Sequence, residues 1–388
     1  TALGRGCAQT AEGLRQNRCG IAPLTLFPHT PALPVGEIRE PLPDPHLPRT
    51  HRIARIAAQD AITDCGGKIP DAVVLGVTTG GMPQTELLRK SGSTDPESYR
   101  YHAAGSVTAA IAELCGCRGP VYTVSTACSS GAVAAALGMR LLQSGMARSV
   151  LAGGADALCR LTYHGFNALQ LLSATGARPF DRDRDGMSLS EGAAMLFFES
   201  ARGVPENAKA EITGFGLSCD AYHAAAPHPE GRGAQEAMAA AMRSSGLEPA
   251  DIDYINLHGT GTPSNDAAEA KAVAGLFGSA QPALSSIKGA AGHSLAAAGA
   301  IELAISVIAI GHGVVPANSG LQTPDPALEI TPRAVPGYGR IETVLSNSFG
   351  FGGNNAALAV ARPGAESRDI PWNPGPMAVV GNACVTGA

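Results

Sequence analysis

The segment Val124-Ser125-Thr126-Ala127-Cys128-Ser129-Ser130-Gly131 decides how this chain is read. Valine and threonine lead in with strand chemistry, the serines and Gly131 permit a tight turn, and 132–142 reads as a buried, alanine-rich helix. The pattern predicts a strand-to-helix elbow with Cys128 close to the helix N-terminus. Unpaired N–H groups and the helix dipole favour a thiolate there, so the segment predicts a lowered thiol pKa and a nucleophile. A cysteine also serves as a small apolar side chain in a packed core, and this segment alone leaves both roles open.

Two later segments bear on that choice. Asn256-Leu257-His258-Gly259-Thr260-Gly261-Thr262-Pro263 follows a strand-like run at 253–257. Ser286-Ile287-Lys288-Gly289-Ala290-Ala291-Gly292-His293-Ser294 opens a second alanine-rich helix that reaches about Ile310. Each puts a histidine in a glycine-rich loop at a strand end, where backbone can approach a substrate and catalytic groups are presented. One histidine is more often structural. Two in such loops, with a cysteine at a similar elbow, favour a catalytic set.

Composition describes an ordinary enzyme-sized chain. Its 388 residues allow one large domain or two fused halves, and 45% hydrophobic against 16% charged residues is enough for a large core. No run of eighteen or more continuously apolar residues and no signal-peptide pattern is present, so the expectation is a cytoplasmic protein without a membrane partner. Nine cysteines lack a double CxxC; Cys115 and Cys117 alone are poor zinc ligands, and neither a metal site nor a disulfide framework is expected. A formal charge of −5 gives no support for nucleic-acid binding.

The organisation reads as a duplicated α/β plan. Strand candidates are 72–78, 121–125, 149–153 and 194–199 in the first half, then 210–216, 253–257, 283–286, 343–346 and 356–361 in the second. Each half contains a strand, a small-residue elbow and an alanine-rich helix, which hints at an internal repeat. The expected division is an amino-terminal half over 1–202, a carboxy-terminal half over 203–362 and a connecting segment over 363–377. The crossover between halves is expected at 203–208.

Five ordered segments resemble the β-ketoacyl synthases of the thiolase superfamily, in the branch that elongates acyl chains on acyl carrier protein. They are the Cys128 elbow; Arg178-Pro179-Phe180-Asp181 with Asp185-Gly186 and Glu191-Gly192; 258–262; 288–293; and Asn347-Ser348-Phe349-Gly350-Phe351-Gly352-Gly353-Asn354-Asn355. The resemblance implies the thiolase fold, two similar halves in an α-β-α-β-α body. It implies that Cys128 carries the acyl chain as a thioester and that neutral His258 and His293 assist decarboxylation of a malonyl thioester. A thiolase typically has a cysteine in place of one histidine, so the two-histidine pattern favours decarboxylative condensation.

Further roles follow from the same likeness. The backbone N–H groups of Cys128 and Phe351 form an oxyanion hole, and Lys288 and Glu302 set the local electrostatics. Thr260 and Thr262 receive the phosphopantetheine arm, and Phe349 and Phe351 contact the acyl chain, Phe351 as a gate between flexible glycines. No tightly bound cofactor is implied; the phosphopantetheine arrives on the carrier protein. An acidic carrier would need a local basic patch, for which Arg49, Arg52, Arg55 and Arg178 are the candidates. The expected assembly is a homodimer, or a heterodimer with a related ketosynthase-like subunit. Alternatives are a non-elongating chain-length factor and a thiolase-like enzyme using coenzyme A thioesters. Whether the chain built is a fatty acid, polyene or polyketide stays open.

The ends depart from the family pattern. The family-like first strand and turn appear not near Thr1 but at 377–388. The expectation is that 378–380 forms a strand in the amino-terminal half, with Ala388 close to Thr1, through permutation, a tandem module or residue ordering.

Overall fold

The computed structural model describes residues 1–28, 30–200, 207–364 and 377–385. Strands and helices are numbered in chain order. A ten-stranded sheet runs, in spatial order, β4 (Val121–Val124), β3 (Ala72–Gly76), β5 (Ser149–Asp156), β6 (Gly192–Ser200), β14 (Met377–Val385), β7 (Ala210–Cys219), β13 (Asn354–Ala361), β12 (Thr343–Gly350), β8 (Tyr254–Asn256) and β9 (Ala283–Ser285). Two short antiparallel ribbons lie outside it, β1 (Ala22–Pro23) with β2 (Pro34–Val35) and β10 (Val314–Val315) with β11 (Gly337–Tyr338).

Read inward from either edge, the sheet repeats one plan: three parallel strands, then two antiparallel ones. From one edge these are β4, β3 and β5 followed by β6 and β14. From the other they are β9, β8 and β12 followed by β13 and β7. The two sets meet where β14 pairs antiparallel with β7, Met377 opposite Ile212. The strand carrying residues 378–380 therefore lies between β6 and β7. Ala388, most of 203–208 and most of 363–376 fall outside the described residues.

The helices are α1 (Gly6–Arg15), α2 (Arg49–Asp64), α3 (Met82–Lys90), α4 (Gly105–Cys115), α5 (Ser130–Gln143), α6 (Arg160–Ala168), α7 (Arg232–Ser245), α8 (Pro263–Phe277), α9 (Lys288–Ala291) and α10 (Ala298–His312). Strand side chains alternate between faces, as the pleat requires. Val73 and Leu75 pack in one cluster with Ile53 of α2 and Ile111 of α4, while Ala72 and Val74 share another with Ala135 of α5 and Leu303 of α10. On the other side Ile255 and Leu345 join Ala237 of α7 and Val273 of α8. The body is thus layered α-β-α-β-α, with α5 and α10 central. The stretch Leu295–His312 is long and apolar enough to cross a membrane, with mean hydropathy 1.8, but 89% of it is buried inside this fold.

The two central helices approach through glycine. A Cβ on Gly131 would stand 2.7 Å from the Ala300 amide nitrogen and 2.8 Å from the Ala296 carbonyl oxygen. Reciprocally, a Cβ on Gly299 would stand 2.7 Å from the Ala132 amide nitrogen. Backbone atoms cannot yield as a flexible side chain does. We therefore expect Gly131→Ala to lower unfolding free energy by about 1–3 kcal/mol, as overpacking does. A urea titration that left the midpoint unchanged would contradict this packing.

Candidate functional site

The site begins at the elbow between β4 and α5. Ala127 holds φ 53°, in the left-handed region that alanine rarely adopts, and Cys128 follows it. The two serines of the motif hold this geometry: Ser129 Oγ donates to Thr126 O (2.8 Å) and Ser130 Oγ to Ala127 O (2.6 Å). Ser130 Oγ also accepts from the Thr126 amide at 2.9 Å. The strain, of order 1–3 kcal/mol, persists because these bonds over-determine the turn. Gly350 lets the turn after β12 approach, since a Cβ there would meet Thr126 O at 2.8 Å. The Phe351 amide is thereby directed at the Cys128 sulfur.

His258 lies just beyond β8 and is held by α8. Glu269 accepts from the amides of His258 (2.8 Å) and Gly259 (2.7 Å), and Asp266 accepts from that of Thr260 (3.1 Å). His293 follows α9 and Gly292, and pairs along Leu189. Its amide donates to Ser188 O at 2.7 Å, and its carbonyl accepts from Ser190 at 2.9 Å. The two rings stand perpendicular with centroids 5.4 Å apart. His293 Nδ1 accepts from the Leu295 amide at 3.2 Å, and His258 Nδ1 lies 3.3 Å from Lys288 Nζ. An ammonium only donates, so both Nδ1 atoms act as acceptors and both Nε2 atoms carry the proton.

Lys288 and Glu302 stand behind His258 and form a buried ion pair. Lys288 also donates to His258 O at 2.6 Å. Burial, then Lys288, then His293 hold the His258 pKa well below the ordinary imidazole range. Burial and Lys288 do the same for His293. Both rings are neutral at physiological pH. Burial raises the Glu302 carboxyl to about 7, against the pull of Lys288.

One cavity of about 40 Å³ is lined by Cys128, His258, His293, Thr260, Thr262, Phe349 and Phe351. That volume holds a few waters. Leu171 and Met187 add apolar wall, and the Phe351 ring packs against Phe166 of α6 with centroids 5.6 Å apart. Thr260 and Thr262 share a hydroxyl–hydroxyl bond of 2.9 Å.

Two sequence expectations need correction. The Cys128 thiol is not lowered: burial pushes it up to about 11, and Lys288 and the Phe351 amide offset only part of that. Arg49 is not a free surface cation either. Its Nε donates to the buried Glu191 carboxylate at 2.7 Å, and its side chain is only 17% exposed. Arg52 donates to the Leu42 and Pro43 carbonyls, and Arg55 pairs with Asp44 at 3.1 Å. Arg49 and Arg52 do line a second cavity of about 450 Å³, together with Lys90 and Arg160. Arg178 bonds Asp183 O within its own loop and faces Asp185 at 3.9 Å.

Sequence reasoning passed over Glu269, Asp266 and Asp156, the buried carboxylates that hold the loops. Only Asp266 left a trace, as an acid in the first turn of α8.

Comparisons with known proteins agree with this geometry. The family described as "Beta-ketoacyl synthase, N-terminal domain" matches residues 46–202, and "Beta-ketoacyl synthase, C-terminal domain" matches 209–322. A 3-oxoacyl-[acyl-carrier-protein] synthase 2 of Synechocystis sp. is 35% identical, covering 92% of this chain and 95% of that protein. Nodulation protein E of Rhizobium meliloti is likewise 35% identical, with the same coverage of 92% and 95%. Among solved structures, the ishigamide ketosynthase/chain length factor superposes with TM-score 0.86 at 30% identity, covering 94% of this chain and 97% of that one. The ketosynthase ApeO, in complex with its chain length factor ApeC from Xenorhabdus doucetiae, gives TM-score 0.81 at 32% identity, covering 93% and 95%. With both halves matched and the fold shared over nearly its whole length, this chain belongs to the β-ketoacyl synthase family.

Proposed function

We propose that this protein condenses an acyl thioester held on Cys128 with a malonyl group on acyl carrier protein, releasing carbon dioxide and lengthening the chain by two carbons. The observation that carries this reading is the convergence of one thiol and two neutral imidazoles, each with Nε2–H as donor, on a single cavity. In the first step Cys128 sulfur attacks the incoming thioester carbonyl, and its proton ends on the departing pantetheine sulfur. The amides of Cys128 and Phe351 hold the transient oxyanion. In the second step the malonyl carboxylate leaves as carbon dioxide, and the enolate oxygen accepts from His258 and His293. The carbanion attacks the Cys128 thioester, and the expelled thiolate takes a proton from solvent.

The pantetheine arm would pass Thr260 and Thr262, and Phe349 and Phe351 would meet the acyl chain. The 450 Å³ cavity, with Arg52, Lys90 and Arg160 at its wall, is the best-supported place for an acidic carrier to dock. A chain-length factor is disfavoured by the intact Cys128, His258 and His293 set. A thiolase-like enzyme using coenzyme A is disfavoured by the second histidine. The division into halves at 203, with β14 completing the amino-terminal one, is supported by the mirrored strand order. A dimer is supported by the β4 edge, where Val121 and Tyr122 are about two-fifths exposed, and by α3, which has no buried residue. Light scattering of the purified chain should give a dimer, alone or with a related subunit; a monomer at micromolar concentration in both cases would refute it.

Four outcomes test the chemistry. Cys128→Ala should load no acyl group by intact-mass spectrometry; continued elongation would end this assignment. His258→Ala and His293→Ala should each load Cys128 normally but lose decarboxylation by roughly 10²–10³-fold, the scale of one oxyanion donor. Loss of loading instead would place the histidines in the wrong step. The resting thiol should react with iodoacetamide at a rate that climbs with pH from 7 toward about 11 without an earlier plateau. Lys288 lowers the thiol pKa, so Lys288→Met should slow that reaction at pH 9, and an acceleration would reverse the sign assigned to the lysine.

A further inference from the structure

Asp156 ends β5 and is fully buried, yet it has no part in the steps above. One of its oxygens accepts from the amides of Thr78 (3.1 Å) and Thr79 (2.8 Å) and from the Thr79 hydroxyl (2.8 Å). The other accepts from the Thr78 hydroxyl and, at 2.9 Å, from the amide of Ala296. The last bond crosses from the amino-terminal half of the sheet to the loop after His293.

That loop is strained. Leu295 holds φ 51°, a left-handed conformation that a leucine leaves unless its surroundings prevent it. The Leu295 amide is the donor that fixes His293 Nδ1. The next amide in the chain is the one that Asp156 takes. A carboxylate bound by five donors, and fully buried, is a rigid anchor for such a turn.

We propose that Asp156 is a positioning residue: it holds the left-handed turn at Leu295 and thereby fixes the orientation and Nε2–H tautomer of the His293 ring in the cavity it shares with Cys128. The inference rests on the catalytic role given to His293 above. In Asp156→Asn the side chain keeps one acceptor oxygen, and its NH₂ group faces donors, either the Ala296 amide or the Thr78 and Thr79 amides. The turn then loses its anchor or the anchor loses its seat.

The test joins kinetics to ¹⁵N NMR of the histidine rings, with the His293 resonances assigned from a His293→Gln spectrum. In Asp156→Asn we expect decarboxylation of malonyl carrier to fall by about 10–10²-fold, the cost of a misplaced catalytic group. Loading of Cys128 should change by no more than about twofold, since a group that acts in one step leaves the other intact. The His293 ring should shift from the Nε2–H tautomer to a mixture. Thr79→Val, which removes one donor and keeps the carboxylate, should move all readouts the same way by less, and it carries the test if Asp156→Asn does not fold. Equal losses of loading and decarboxylation, or an unchanged His293 tautomer, would overturn the proposal by reducing Asp156 to a structural residue. A His293→Gln protein that decarboxylates normally would instead remove the catalytic role of His293, while the tautomer shift would still report on Asp156.

Discussion

Everything at this site depends on one buried ammonium. Lys288 is 1% exposed, and removing an ion from water costs several kcal/mol even after the protein relaxes. Its three N–H groups find three acceptors: the Glu302 carboxylate, the His258 carbonyl and His258 Nδ1. Each ties down a different thing. Glu302 belongs to α10, so the pair locks the site to the central helix. The carbonyl fixes the loop after β8, and Nδ1 fixes the tautomer. Removing either partner of such a pair leaves an uncompensated charge, at about 3–5 kcal/mol. The ion pair is weak evidence for stability, but it sets which atom of His258 is the donor.

The sequence exposes features that depend on local chemistry and hides those that depend on distance. The elbow at Cys128 is legible because strand, turn and helix residues are contiguous there. The strands are legible from short apolar runs bounded by turn residues, and all nine expected in the two halves lie on strands of the ten-stranded sheet. The thiol pKa went the wrong way because the helix terminus is written in the local sequence, whereas burial belongs to the assembled fold. Arg49 misled for the same reason. As a candidate for a basic surface patch it needs a free charge, but Glu191, far along the chain, draws it inside. Glu269, Asp266 and Asp156 bind backbone amides, and a backbone amide has no signature in the residue alphabet.

The duplicated plan explains why the site is where it is. Each half supplies a central helix preceded by a small-residue loop, and the two helices meet where Gly131 and Gly299 let backbone approach backbone. The proposed nucleophile, Cys128, comes from the first loop and both histidines from the second half. Neither half holds the whole set, so the glycine contact between α5 and α10 governs the registration of thiol against imidazole. A shift of one helix would move the reacting groups apart without altering a single side chain at the site.

The charges around the cavity fit the proposed chemistry for a related reason. Among the described residues lining it there is no lysine or arginine, and Asp220 is itself acidic. Lys288 stands behind His258, where it is engaged by its own three acceptors. A malonyl carboxylate brought into this cavity would leave water without gaining a counter-ion from its lining, and becoming neutral carbon dioxide relieves that loss. The charge then reappears on the enolate oxygen, where two N–H groups are already fixed. Neutral imidazoles suit this better than imidazolium ions: a cation would stabilise the starting carboxylate as well as the enolate, and only the difference lowers the barrier. Burial of the two histidines is therefore not a cost that the site tolerates but the condition that makes their N–H groups selective.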